Sequence, residues 1–180
     1  MTRVFALVGA LGIFYACGPS SDVSTLASAS RRDPIVANSF PEHPDLSMTP
    51  GALCRQPDEV RYPEHIPYCI RNVSPETKQA IIRDYDRAHG YHVESMERTD
   101  FKIDHFIPLC MGGANSTANL WPQYKTIYVH TDPIEQKLCE LMANGTMLQA
   151  AAVAKIKYIK FHLNEAEAMV ADLDRQLSRN

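Results

Sequence analysis

No C-x-x-C pair occurs among the five cysteines of this 180-residue chain, and no stretch has the length of a bilayer-spanning apolar helix. The first absence argues against a structural zinc site, whose thiolate ligands usually arrive in closely spaced pairs. The second concerns "VFALVGALGIFYA" at the N-terminus, an apolar run of 13 residues where a resident transmembrane helix needs about 20. Positive charge is also scarce. Lys and Arg number 18 against 21 Asp and Glu, so the broad basic surface of most nucleic-acid binders is missing. No internal repeat is present, which excludes solenoids and propellers. Nor is there a helix with the clustered side chains that read base edges, so sequence-specific DNA recognition is not expected.

What the chain does have is ordered along its length. A hydrophobic content of 45% suits one globular domain with an ordinary core. "MTR" followed by the short apolar run reads as a secretory signal. Its end, "FYAC", places Cys17 after a small residue and before polar "GPSSD", similar to a bacterial lipoprotein cleavage site, with a lipid anchor on Cys17 and an envelope or periplasmic location expected. Residues 1–17 are therefore read as signal peptide, 18–50 as a Ser/Pro-rich tether, 51–163 as the domain, and 164–180 as a C-terminal helix. Setting Cys17 aside leaves four cysteines, an even number that suits two disulfides in an oxidising compartment. Of the three connectivities, Cys54–Cys69 with Cys110–Cys139 is favoured, because the first pair closes a short Pro-rich loop. Without the signal, which carries only Arg3, 17 basic side chains face 21 acidic ones.

Helix punctuation is clear in "SPETKQAIIRDYDRAHG": Ser74 caps, Pro75 opens the first turn, Gly90 closes it, and Ile81, Tyr85 and Ala88 form the buried stripe. "FKID" and "HFIPL" read as strands, broken by Pro108 and turned at Gly112-Gly113. In "DPIEQKLCELMANG" Asp132 caps a second helix that begins at Pro133, with Glu135 completing a capping box. Thr146 with Gln149 repeats the box before an alanine-rich helix that reaches about Phe161. The order of helix, two strands and further helices is that of an α+β domain.

The chemistry concentrates in "FKIDHFIPLCMGGANSTANLWPQ", residues 101–123. Asp104 and His105 admit two readings. One is a turn carboxylate beside a packed or solvated hairpin histidine with no chemical role. The other is a metal-assisted phosphodiester hydrolysis site: a hard divalent cation prefers oxygen ligands such as Asp104, and His105 takes the proton of an attacking water. Neighbouring strand residues project to opposite faces, so the pair flanks a substrate from two sides. Such a histidine needs its second ring nitrogen fixed by an acceptor, which Asn119 or a backbone carbonyl from the far end of the hairpin would supply. Lys102, Lys125 and Arg98 flank the motif and would form a local basic rim. Trp121 is read as core.

"DHFIPLCMGGANSTANL" resembles the HNH endonuclease signature, in which D-H, P-L, G-G and N-L recur at these spacings. It is most similar to small exported HNH-type proteins with "NLWPQ" and an upstream "LCR…YC" segment, here Leu53-Cys54-Arg55 and Tyr68-Cys69. The resemblance covers about residues 52–160. It implies a ββα-metal finger embedded in a mostly helical domain, clamping a divalent cation, usually Mg2+. It further implies low-specificity cleavage of DNA, with RNA as a second substrate. Carried over by position, Asp104 is a metal ligand, His105 the general base, and Asn119 the residue that orients the histidine and the finger loop. The third ligand falls on no ideal residue. Tyr128 stands at the usual spacing; His130 is the first choice and Glu135 the alternative. The rival reading is a non-catalytic, disulfide-braced envelope lipoprotein that keeps the fold.

Overall fold

The computed structural model describes residues 40–179; the expected signal, Cys17 and residues 18–39 of the expected tether lie outside them. Among the described residues four helices and two small antiparallel sheets make an α+β fold. The first sheet is a short hairpin, β1 (Glu59–Arg61) against β2 (Ile66–Tyr68), in the Pro-rich stretch that the sequence marks as irregular. Its loop uses positive φ at Tyr62 and His65. Helix α1 (Pro75–His89) has the predicted ends: the Ser74 hydroxyl accepts from the Thr77 N–H, and Gly90 closes the helix in the left-handed region. Its buried face is Ile81, Ile82 and Tyr85, while Ala88 is exposed.

The second sheet pairs β3 (Phe101–His105) with β4 (Leu120–Tyr124), placing Asp104 opposite Trp121 and Lys102 opposite Gln123. "HFIPL" is thus not the second strand. Pro108 has no N–H to give a ladder, and the chain instead loops from Phe106 through two single-turn 3-10 helices before returning as "LWPQY". Helix α2 (Lys125–Ala143) follows β4 directly and begins eight residues before the predicted start. Pro133 lies inside it. A proline there leaves the carbonyl four residues back, that of Val129, without its helical bond, and Val129 is on the exposed side where water can replace it. The Asp-Pro-x-Glu pattern therefore imitates a helix start within a helix.

Helix α3 (Gln149–Ile159) and helix α4 (Ala166–Leu177) complete the fold, packing on α2 around Ile134, Leu138, Leu141, Ile156 and Leu173. Thr146 does not cap α3; the Gln149 N–H goes to Glu64 of the β1–β2 loop at 2.5 Å. A second apolar cluster joins α1 to the β3–β4 sheet through Tyr85, Ile103, Phe106, Leu120 and Trp121, and Trp121 is fully buried as expected. Both favoured disulfides are present, Cys54–Cys69 and Cys110–Cys139. Among the described residues no helix is long and apolar enough to cross a membrane.

Residues 40–50, in the stretch read as tether, pack on the domain. Phe40 stacks on Tyr124, the buried Thr49 hydroxyl meets that of Tyr85 at 2.8 Å, and the Pro50 carbonyl accepts from Lys157. The next residues bond to the long loop: Cys54 N–H to the Gly112 carbonyl and Ala114 N–H to the Ala52 carbonyl. At Gly113 a Cβ would fall 1.8 Å from the Ile107 carbonyl oxygen and 2.8 Å from the Asn119 amide nitrogen. Only glycine fits. Gly113→Ala is expected to destabilise the fold by about 2–3 kcal/mol through overpacking and lost loop hydrogen bonds, read as a lower urea midpoint with unchanged slope.

Candidate functional site

The C-terminal end of β3 separates two chemistries. Asp104 leaves the strand toward α2; His105 leaves on the opposite face, beneath the long loop. On the Asp104 side, Asp132 and Glu135 of α2 bring their carboxylates close: one oxygen from each of the three lies within 4.8 Å of the others. Asp132 and Glu135 are three apart on one helical face, which is why both reach the same point. Two ammonium groups share the cluster. Lys102 Nζ stands 3.2 Å from Asp104 and 2.8 Å from Asp132. Lys160, just past α3 and fully buried, donates to the His105 carbonyl at 2.8 Å and approaches Glu135 at 2.7 Å.

These charges set one another's protonation. Burial raises the Asp104 pKa, but Lys160 and Lys102 outweigh it and hold the carboxyl below its usual value. Burial pushes Glu135 up to about 7, with Lys160 opposing and Asp104 adding to the rise. Burial pulls Lys102 down, yet Asp104 and Asp132 more than compensate and its pKa is raised. Among the described residues, the five buried side-chain atoms lacking a hydrogen-bond partner all lie on β3, β4 and α2: Asp104 Oδ2, His105 Nδ1, Trp121 Nε1, Gln123 Oε1 and Glu135 Oε1. The two carboxylate oxygens each have an ammonium group at ion-pair distance, Lys102 for Asp104 and Lys160 for Glu135.

The donor set suits a hard divalent cation. Opposed ligand oxygens lie about 4.2 Å apart across Mg2+ and about 4.6–5.2 Å apart across Ca2+. Three carboxylates at this spacing fit that class without selecting one ion.

His105 is buried, with 2% of its surface accessible, and is not a solvated hairpin histidine. Its Nε2 is 3.0 Å from Asn115 Oδ1, while the Asn115 amide donates to the Ile70 carbonyl at 2.7 Å. That second bond orients the amide, so its oxygen faces the imidazole, Nε2–H donates to it, and Nδ1 is the bare, basic nitrogen. Burial lowers the His105 pKa, the Asn115 bond opposes this, and Arg71 adds to the lowering. The ring is neutral at neutral pH, as a proton acceptor must be.

The Asn119 side chain makes its hydrogen bonds elsewhere than to the His105 ring. It is fully buried and clamps the loop, accepting from Ile107 N–H at 2.8 Å and donating to the carbonyls of Ile107 and Ala114. The orienting part falls to Asn115, four residues earlier, and the loop-holding part stays with Asn119. His130 does not join the carboxylates either. It is exposed on α2 in a cleft with Val129, Pro133 and residues of α4, a different face from Asp132 and Glu135. The helix period explains the substitution: once α2 starts at Lys125, the face toward β3 holds Asp132 and Glu135. Asp132 was hidden by its resemblance to a cap.

The expected basic rim is spent on partners. Lys102 serves Asp104 and Asp132, Lys125 pairs with Asp100 at 2.8 Å, and Arg98 lies over the Phe101 ring. Comparisons with protein-family models, curated proteins and solved structures return no match for this chain.

Proposed function

We propose that this chain is a divalent-metal-dependent nuclease of the HNH type, exported to an oxidising compartment. The observation that carries the reading is the meeting of three carboxylates at the end of a β-hairpin and its following helix, with a neutral, oriented histidine as the next residue after Asp104. The succession β3, β4, α2 has the order of a ββα-metal finger, and the two disulfides suit export. Asp104, Asp132 and Glu135 would hold the cation, most simply Mg2+, and Lys102 is the group it would replace, because its half-exposed ammonium already bridges Asp104 and Asp132. When bound, the cation supplies Lewis-acid stabilisation of charge on a phosphate oxygen. His105 Nδ1, enclosed here and needing to be uncovered for water to reach it, would accept the proton of the attacking water, with Asn115 holding the ring through Nε2 and Asn119 keeping the Asn115-bearing loop in place. DNA, with RNA second, is the substrate.

A second reading is favoured by one specific observation. Lys160 sits inside the cluster with no solvent exposure, neutralising Glu135 and Asp104 from within. That arrangement suits a non-catalytic envelope protein in which the five charges are a structural network. One assay separates the two. The full chain incubated with plasmid and Mg2+, Mn2+ or Ca2+ is expected to nick it, with EDTA abolishing the activity and Asp104→Asn lowering it at least 100-fold. No nicking with any of the three ions selects the structural network.

A further inference from the structure

Carboxylates neutralise Lys102 and Lys125 of the expected basic rim and leave only Arg98, so the substrate phosphates need a further positive surface. Two clefts, of about 450 and 540 Å3, adjoin at Gln56 and Cys69 and together are called the groove. Arg71 lines the first and Arg55 the second. Both are exposed, and neither has an ion-pair partner among the described residues. Their placement is covalent in origin. Arg55 follows Cys54 and Arg71 lies two residues after Cys69, so the Cys54–Cys69 disulfide ties the two arginine-bearing segments together. Asn115 also lines the groove and is the residue bonded to His105 Nε2. Asn115 thus links the groove to the buried His105. Leu53, beside Arg55, and Ile70, beside Arg71, are 43% and 55% exposed and give each cleft apolar surface. The one carboxylate in its lining, Asp58, is turned to accept the Ile70 N–H at 2.7 Å.

We propose that this disulfide-braced groove is the track for a nucleic-acid strand, with Arg55 and Arg71 each holding a backbone phosphate and Leu53 and Ile70 lying against bases. A guanidinium and an apolar side chain in each cleft match a single strand, whose phosphates are charged and whose base faces are apolar. The inference rests on the nuclease reading for its substrate class, but binding is measured apart from cleavage. Two phosphate contacts on a single strand predict that log K falls with log salt at a slope of about −1.4, since each contributes about −0.7.

The test uses the full chain in EDTA and a fluorescein-labelled single-stranded 12-mer, with anisotropy read from low to moderate salt. Arg55→Glu/Arg71→Glu is expected to weaken binding at least tenfold and flatten the slope. Arg83→Glu, an exposed and unpaired arginine on α1, is expected to leave both unchanged. No binding by the unaltered chain, or a double variant within twofold of it, overturns the groove. Lost binding in the double variant together with absent cleavage in the unaltered chain leaves the groove standing and removes the nuclease reading.

Discussion

Lys160→Ala is expected to destabilise the protein by about 3–5 kcal/mol, the range for breaking a buried ion pair from one side. The ammonium is fully enclosed, and its removal strands Glu135 and Asp104 in low dielectric while freeing the His105 carbonyl. The cost is not simply the value of the lost attraction. It is mostly the penalty of a carboxylate left without a partner, so Lys160→Met/Glu135→Met, which removes both ends, should recover a large part of it. Urea unfolding of the two variants measures the difference. A Lys160→Ala cost under 1 kcal/mol would mean that water already reaches this cluster and that its burial is misjudged.

The second large effect concerns rate. His105→Gln is expected to lower metal-dependent cleavage by about 10²–10⁴-fold, the usual contribution of a general base, while costing only about 1 kcal/mol of stability. Glutamine is chosen because His105 is buried against Asn115. Alanine would leave a cavity and an unpaired amide, mixing a folding defect into the kinetics. Single-turnover cleavage at saturating metal, with thermal melting beside it, separates the two effects. Full activity in His105→Gln would show that no proton passes through this imidazole.

The sequence yields its local features well. Ser74, Pro75 and Gly90 fix α1 because caps act within a few residues, and the four paired cysteines fall as their short spacings suggest. Non-local features are harder to read. β4 is invisible as a partner for β3 until the loop between them folds, and that loop is held by Asn119 and by the close approach at Gly113, both set by tertiary contact. The start of α2 is concealed because no side chain caps it, while Asp132 and Pro133 supply a false start. That single error hides Asp132 and promotes His130, since eight residues of helix decide which side chains share a face. Reading "TIYVHTDPIEQKL" as continuous helix would have set Asp132 beside Glu135. Lys160 gave no signal at all: nothing in "IKYIKFH" distinguishes a buried lysine from a solvated one.

The two bridges follow one another along the chain without crossing or nesting, closing spans of 15 and 29 residues. Every other way of pairing the same four thiols requires much wider rings. With random-coil ring closure falling as the three-halves power of span, and a first ring shortening the path of a second that crosses or encloses it, the observed set forms about tenfold more often than either mispaired one. Oxidation of the unfolded chain is thus biased toward the native linkage by polymer statistics alone, and an isomerase has few errors to correct.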